Sequence, residues 1–157
     1  MESCMKRKPH ILVVDDEPNV LITYRLILQQ QGYEVSAALS SEEARQLLSQ
    51  KAIDLLLCDL SLEKRENGFD VIDFGRRKNP LLPTVMLTGY ATPEANDRAQ
   101  ELGIPMLFKP IDIKELLETI SGLLKEKHEQ HEAAGEDRAG NKNEPRKEKG
   151  NATTPAA

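Results

Sequence analysis

The chain has little of what marks several large classes of protein. It has no tryptophan, three tyrosines and three phenylalanines among 157 residues. A nucleic-acid surface built on bases stacked against aromatic rings is therefore not expected. No apolar run approaches the length that a membrane-spanning helix needs, about 18 residues or more. The basic start, Met1 to Lys8, leads into an apolar run of strand length that ends in two aspartates. With no longer apolar stretch and no small-residue cleavage site, no signal peptide is read. Cysteine is scarce as well. Cys4 and Cys58 are far apart and differ in context, so no disulfide is expected and a reducing cytoplasm is the expected setting. The net charge of −5 is too mild to argue for or against nucleic acid.

What is present is a pattern of apolar runs that end abruptly in charge. Leu55 to Cys58 have no polar alternation, and Asp59 follows them. A strand of that kind is buried on both faces, as in a parallel sheet. Ile11 to Val14 is a second such run, closed by Asp15 and Asp16. Two buried strands thus deliver three carboxylates to one sheet edge, the edge where open α/β sheets bind ligands. Those charges repel one another unless a cation or a proton intervenes.

The rest of the chain repeats a strand–helix unit. A first strand over 10–15 is followed by Pro18 at a first-turn position and a helix with Val20, Leu21, Tyr24, Ile27 and Leu28 at helical spacing, closed by Gly32. Tyr33 to Ala38 is a second strand. Ser40 with Glu43 is a capping box that opens a helix carrying Ala44, Leu47 and Leu48. Ile53 to Cys58 is the third strand. A polar loop over 60–68 precedes a helix with Phe69, Ile72 and Phe74 inward. Pro83 to Thr88 is the fourth strand, and Thr92-Pro93 starts a helix with Ala95, Ala99 and Leu102 that Gly103 ends. Ile104 to Phe108 is the fifth strand. Asp112 with Glu115 resembles a capping box, and Ile111 can staple onto Leu116. The last helix carries Ile113, Leu116, Leu117, Ile120 and Leu124 as a stripe.

This alternation predicts an α/β fold with a doubly wound parallel sheet covered by helices on both faces, in the flavodoxin-like order 2-1-3-4-5. The expected organisation is a basic extension over 1–8, one domain over 9–127 and a disordered polar tail over 128–157, which lacks apolar periodicity. His128 and His131 fall in that tail and are read as solvated residues rather than metal ligands.

The strand ends, taken together, carry the chemistry. They are Asp15 and Asp16, Asp59, Thr88, and Lys109 followed by Pro110. Singly, each has an ordinary reading. Asp15 or Asp16 could cap the first helix, Thr88 could be a turn residue, and a Lys-Pro pair is common. In order, at successive strand ends, they make the chain resemble the receiver domain of two-component response regulators over residues 9–127.

That resemblance implies a Mg2+ site in which Asp16, Asp59 and the Ser61 backbone carbonyl bind directly and Asp15 acts mainly through water. It implies that Asp59 is the phosphoacceptor, that Lys109 pairs with a phosphoryl oxygen, that Thr88 donates its hydroxyl to another, and that a cis peptide precedes Pro110. It implies a sensor histidine kinase or histidine phosphotransfer protein as donor, and self-dephosphorylation rather than an enzyme's turnover. Tyr90, two residues past Thr88, stands where the family tunes dephosphorylation. Met106 stands where the family carries its switch aromatic. Methionine can fill a vacated pocket, but it has neither ring nor hydroxyl. Phe108 is read as turned to the other sheet face and so no substitute for it. Glu63 departs from the usual loop, which is one residue longer here and offers Lys64, Arg65 and Glu66 to a partner. Cys58 is read as core packing.

The expected function is a stand-alone phosphoacceptor that signals by protein contact through the face made by helix 4, strand 5 and helix 5. No direct contact with nucleic acid or membrane is expected. A Mg2+-dependent phosphatase with an aspartyl-phosphate intermediate is a rival of another class, but it calls for an Asp at position 61, which is Ser. A receiver that binds partners without phosphorylation is a second rival, and the front part of a DNA-binding regulator a third.

Overall fold

The computed structural model describes residues 7–62 and 67–142, with side chains described as far as 127. The elements follow in the order β1 (His10–Val14), α1 (Pro18–Gln30), β2 (Glu34–Ala38), α2 (Ser41–Gln50), β3 (Leu55–Asp59), α3 (Gly68–Lys78), β4 (Thr84–Thr88), α4 (Pro93–Leu102), β5 (Met106–Phe108) and α5 (Ile113–Lys142). The five strands form one sheet in the order β2-β1-β3-β4-β5, with every pairing parallel. This is the expected flavodoxin-like topology.

The unbroken apolar runs are the central strands. All five residues of β1, β3 and β4 are buried. Successive side chains leave a strand on opposite faces, and two clusters result. Ile11, Val13, Leu55, Leu57, Val85, Leu87 and Leu107 pack against Leu21, Tyr24 and Leu28 of α1 and Leu116 and Ile120 of α5. Leu12, Val14, Leu56, Cys58 and Met86 pack against Ala44 and Leu48 of α2, Phe69 and Ile72 of α3 and Ala99 of α4. The sheet thus has α1 and α5 on one side and α2, α3 and α4 on the other.

Helix starts follow the local chemistry. Ser40 Oγ accepts from the Glu43 amide at 3.2 Å while Glu43 reaches back to the Leu39 amide at 2.6 Å. Thr92 Oγ1 accepts from the Ala95 amide, and Asp112 Oδ1 from the amides of Lys114 and Glu115. Gly103 ends α4 at φ +69°, a left-handed conformation that glycine adopts at no steric cost.

Two boundaries differ from expectation. β5 begins at Met106 rather than Ile104. The Ile104 amide is spent on the Ala99 carbonyl in the turn that closes α4, and Pro105 has no N–H to give the ladder. α5 runs to Lys142, so residues 128–142, expected to be disordered, have helical backbone. The apolar stripe stops at Leu124, but Glu, Lys, Gln and Ala beyond it are good helix formers. The chain divides into two compact units at Leu124. Glu63, Lys64, Arg65 and Glu66 of the expected partner loop lie outside the described residues, as do residues beyond 142. Among the described residues, no helix is long and apolar enough to cross a membrane.

Candidate functional site

Sheet register assembles the site. β1 pairs with β3 up to Val14 opposite Cys58, so Asp15 and Asp59 stand at one level on neighbouring strands. On β4 that level holds Leu87, and the next pairs Thr88 with Phe108. Lys109 follows one step further, its amide bonded to the Thr88 carbonyl at 2.7 Å. Carboxylate oxygens of Asp15, Asp16 and Asp59 all lie within 4.8 Å of one another. Asp15 and Asp59 are buried and Asp16 is half-buried.

Lys109 closes this acidic cluster. Its Nζ donates to Asp59 Oδ2 at 3.1 Å and lies 3.5 Å from Asp15 Oδ2. Asp15 Oδ1 accepts from the Glu17 amide, and Asp59 Oδ1 accepts from the Ser61 amide. Asp15 Oδ2 is buried and has no hydrogen-bond partner. Burial pushes the Asp15 carboxyl above the ordinary carboxylate range, and the Glu17 amide and Lys109 oppose that shift without cancelling it. Burial pulls the Lys109 ammonium down, but its bond to Asp59 and the charges of Asp15 and Asp59 prevail and hold it above the usual lysine value. The helix-cap reading of the aspartates does not hold, because the N-cap position of α1 is Glu17, which makes no side-chain cap.

The remaining expected residues divide by sheet face. Alternation puts Asp15, Asp59 and Lys109 on the α1/α5 side, continuing Val13, Leu57 and Leu107. Thr88 continues Met86 and lies on the α2/α3/α4 side, where half-buried Met106 packs against the core. Thr88 Oγ1 donates to the Tyr90 carbonyl at 2.7 Å and accepts from the Tyr90 amide at 3.1 Å, so its hydroxyl is closed into the β4–α4 turn rather than turned to Asp59. Tyr90 itself is 74% exposed. Phe108 requires a correction. Two residues from Met106, it shares that residue's face, and it is 53% exposed, so its ring does not pack into the interior. The peptide before Pro110 is cis, as the resemblance implies.

Sequence reading missed three residues of the surroundings. Asn67 caps α3 by accepting from the Phe69 amide at 2.8 Å; an Asn ahead of Gly68 and the apolar positions of α3 was a usable signal. Gly68 comes so close to the Asp59 carbonyl that a Cβ would collide with it. Tyr24, read only as a core position, lies within the electrostatic reach of Lys109, Asp15 and Asp59. No local pattern marks the last two.

The donor set is all carboxylate oxygen and includes a buried atom that makes no hydrogen bond, Asp15 Oδ2. Such a pocket fits a hard cation that prefers oxygen and keeps part of its water shell, as Mg2+ does.

A doubly wound parallel sheet with an acidic pocket and a lysine at its carboxyl edge defines the receiver class of signalling domain. The family described as response regulator receiver domain matches residues 11–121, and the chain belongs to it. It is a receiver domain of two-component response regulators. The alginate biosynthesis transcriptional regulatory protein AlgB of Pseudomonas aeruginosa is 36% identical over 111 residues, 70% of this chain and 24% of that protein. The response regulator protein PilR of the same organism is 29% identical over 124 residues, 78% of this chain and 28% of that protein. The chain therefore spans about a quarter of the length of these relatives. Among solved structures, a CheY-like receiver domain protein from Methanospirillum hungatei JF-1 superposes with TM-score 0.74 at 28% identity, covering 78% of this chain and 98% of that one. The non-phosphorylated HemR receiver domain from Leptospira biflexa superposes with TM-score 0.69 at 34% identity, covering 74% and 94%.

Proposed function

We propose that the chain takes a phosphoryl group onto Asp59 and passes the change on by protein contact. The observation that supports this most directly is the placement of Asp59. It is buried at a strand end, one oxygen on Lys109 Nζ and the other on the Ser61 amide, beside two further carboxylates. An oxygen of Asp59 attacks phosphorus. The bond from phosphorus to the donor's imidazole nitrogen breaks, and that nitrogen keeps the electron pair. Lys109 then follows the charge from the carboxylate to a phosphoryl oxygen, and Thr88 donates to another once it leaves Tyr90. Asp16, Asp59 and the Ser61 carbonyl would hold Mg2+, with Asp15 acting through water. The ion supplies positive charge that offsets repulsion between an anionic nucleophile and an anionic phosphoryl group.

The donor on this reading is a sensor histidine kinase or a histidine phosphotransfer protein in the cytoplasm. The target docks on α4, β5 and α5, and the aspartyl phosphate is lost by self-dephosphorylation. The receiver unit is residues 9–127, flanked by the segments 1–8 and 128–157. One observation favours a second reading of the output. AlgB is a transcriptional regulatory protein about four times the length of the matched segment, which suits the front part of a DNA-binding regulator. A longer open reading frame decides between them.

Incubation with acetyl phosphate and Mg2+, read by intact mass, tests the chemistry. The expected result is a gain of one phosphoryl mass that disappears in Asp59→Asn. No gain, or an equal gain in Asp59→Asn, overturns the proposal.

A further inference from the structure

We propose that Asn67 is a positioning residue for the Mg2+ site, acting through the backbone of Ser61. The inference rests on the reading of Asp59 and the Ser61 carbonyl as ligands of that ion. Asn67 makes contacts in two directions. Its backbone is extended, at φ −122° and ψ 135°, and pairs with Ser61 in an isolated antiparallel bridge. The next amide, that of Gly68, donates to the Leu60 carbonyl at 2.8 Å beside that bridge. The other contacts reach into α3. Asn67 Oδ1 accepts from the Phe69 amide at 2.8 Å, and the Asn67 carbonyl accepts from the Asp70 amide at 3.0 Å.

One residue thus joins the segment that follows Asp59 to the first turn of α3. That turn is firmly held, because Phe69, Val71 and Ile72 are buried in the core. Ser61 is exposed, and what it brings to the site is backbone. Its amide donates to Asp59 Oδ1 at 3.2 Å. On either side of it, the Leu60 amide is bonded to the Leu87 carbonyl at 2.8 Å and the Leu62 side chain is buried. A continuous set of contacts therefore runs from the α3 backbone through Asn67 and Ser61 to the Asp59 carboxylate.

The residue type suits the task. An asparagine can accept from the amide two residues on while its own backbone stays extended. Alanine in its place leaves the Phe69 amide without that acceptor and frees the backbone to leave the conformation that pairs with Ser61. Mg2+ demands near-ideal octahedral geometry, so it is sensitive to a ligand that wanders. Groups that orient a ligand accordingly tune metal affinity without touching the metal. A cap that only stabilised α3 would leave that affinity unchanged, which separates the two roles by experiment.

The test is the affinity for Mg2+ itself, read from backbone amide shifts of the isotope-labelled full chain titrated with MgCl2. Asn67→Ala is expected to weaken binding about 10-fold, the low end of what losing a partner that orients a ligand costs a metal site. Asn67 is exposed, so alanine there opens no cavity. Asn67→Ser keeps a capping oxygen and should bind within about 2-fold of wild type. Thr92→Ala is the control for a lost cap as such, since Thr92 Oγ1 accepts from the Ala95 amide at 3.1 Å at the start of α4. It should lower the melting temperature as Asn67→Ala does and leave the affinity for Mg2+ unchanged. A wild-type affinity in Asn67→Ala overturns the inference and leaves Asn67 only a helix cap. So does a loss in Asn67→Ser or Thr92→Ala equal to that in Asn67→Ala. Failure of the wild-type chain to bind Mg2+ overturns instead the reading of the metal site beneath it.

Discussion

Gly68 sets how close α3 can come to β3, the strand that ends in Asp59, and Gly68→Ala tests that approach. A Cβ at this position would run into the Asp59 carbonyl oxygen, with the carbonyl carbon and Cys58 Sγ each at 3.2 Å. The sulfur can give way, but a backbone oxygen inside a five-residue buried strand has no rotamer to escape into. The start of α3 must therefore back away from the end of β3 by about an ångström. The same movement strains the 2.8 Å bond from the Gly68 amide to the Leu60 carbonyl. Overpacking of this kind costs about 1–3 kcal/mol, and replacing glycine by alanine in a helix returns up to about 1 kcal/mol. The net loss is about 1–2 kcal/mol, a fall in melting temperature of roughly 4–8 °C for a domain of this size. Asp59 shifts with its carbonyl, and a misplacement near 1 Å can cost on the order of 100-fold in rate. Phosphorylation should therefore fall further than stability alone would explain. Circular dichroism melts and intact-mass kinetics measure the two effects separately. Gly122→Ala is the control. That glycine lies within α5, and a methyl group added to it would meet nothing within 4 Å, so alanine there should stabilise by about 0.5–1 kcal/mol. If Gly68→Ala melts and reacts like Gly122→Ala, the close-approach argument is refuted.

Two further outcomes follow from the site. Asp15 is held above the ordinary carboxylate range in the folded chain, so its contribution favours folding at pH below the unfolded carboxylate value and is lost as pH rises through the folded one. In EDTA at pH 7, Asp15→Asn should be more stable than wild type by about 1 kcal/mol, the low end of the cost of a buried polar atom that makes no hydrogen bond. The gap should close toward pH 4, and a variant melting no higher than wild type at pH 7 contradicts the account. Tyr90 is exposed beside the turn that holds Thr88. If its ring screens the aspartyl phosphate from water, Tyr90→Ala shortens the half-life of the phosphorylated form several-fold, and an unchanged half-life rejects that role.

Much of this architecture was legible because the relevant signals are local. Leu55 to Cys58 and Ile11 to Val14 have no polar position, so they had to be central strands, and the charges after them had to emerge at one edge. Ser40, Thr92 and Asp112 announced helix starts by residue type alone. What stayed hidden depends on distance across the fold. That Lys109 would pair with both Asp59 and Asp15 follows from register, which no single segment encodes. Gly68 reads as an ordinary loop-to-helix glycine, and only the approach of α3 to the Asp59 carbonyl shows why a side chain would not fit there. Phe108 departs from expectation for a simple reason, since residues two apart on a strand share a face. The shortened β5 reflects competition for the Ile104 amide, which α4 wins. The extension of α5 past Leu124 reflects helix propensity acting without an apolar stripe, a signal weaker than periodicity.

If Asp59 is the phosphoacceptor, the turn at Thr88 bears on background signalling. Two hydrogen bonds tie its hydroxyl to Tyr90. Turning that hydroxyl toward Asp59 gives up both, at about 0.5–1.5 kcal/mol each. Before any phosphoryl group arrives, the turned rotamer is then populated in roughly one molecule in six at the low end and fewer than one in a hundred at the high end. If Thr88 carries the switch as proposed, a backbone turn at a residue two positions away sets how often the resting molecule adopts the stimulated rotamer.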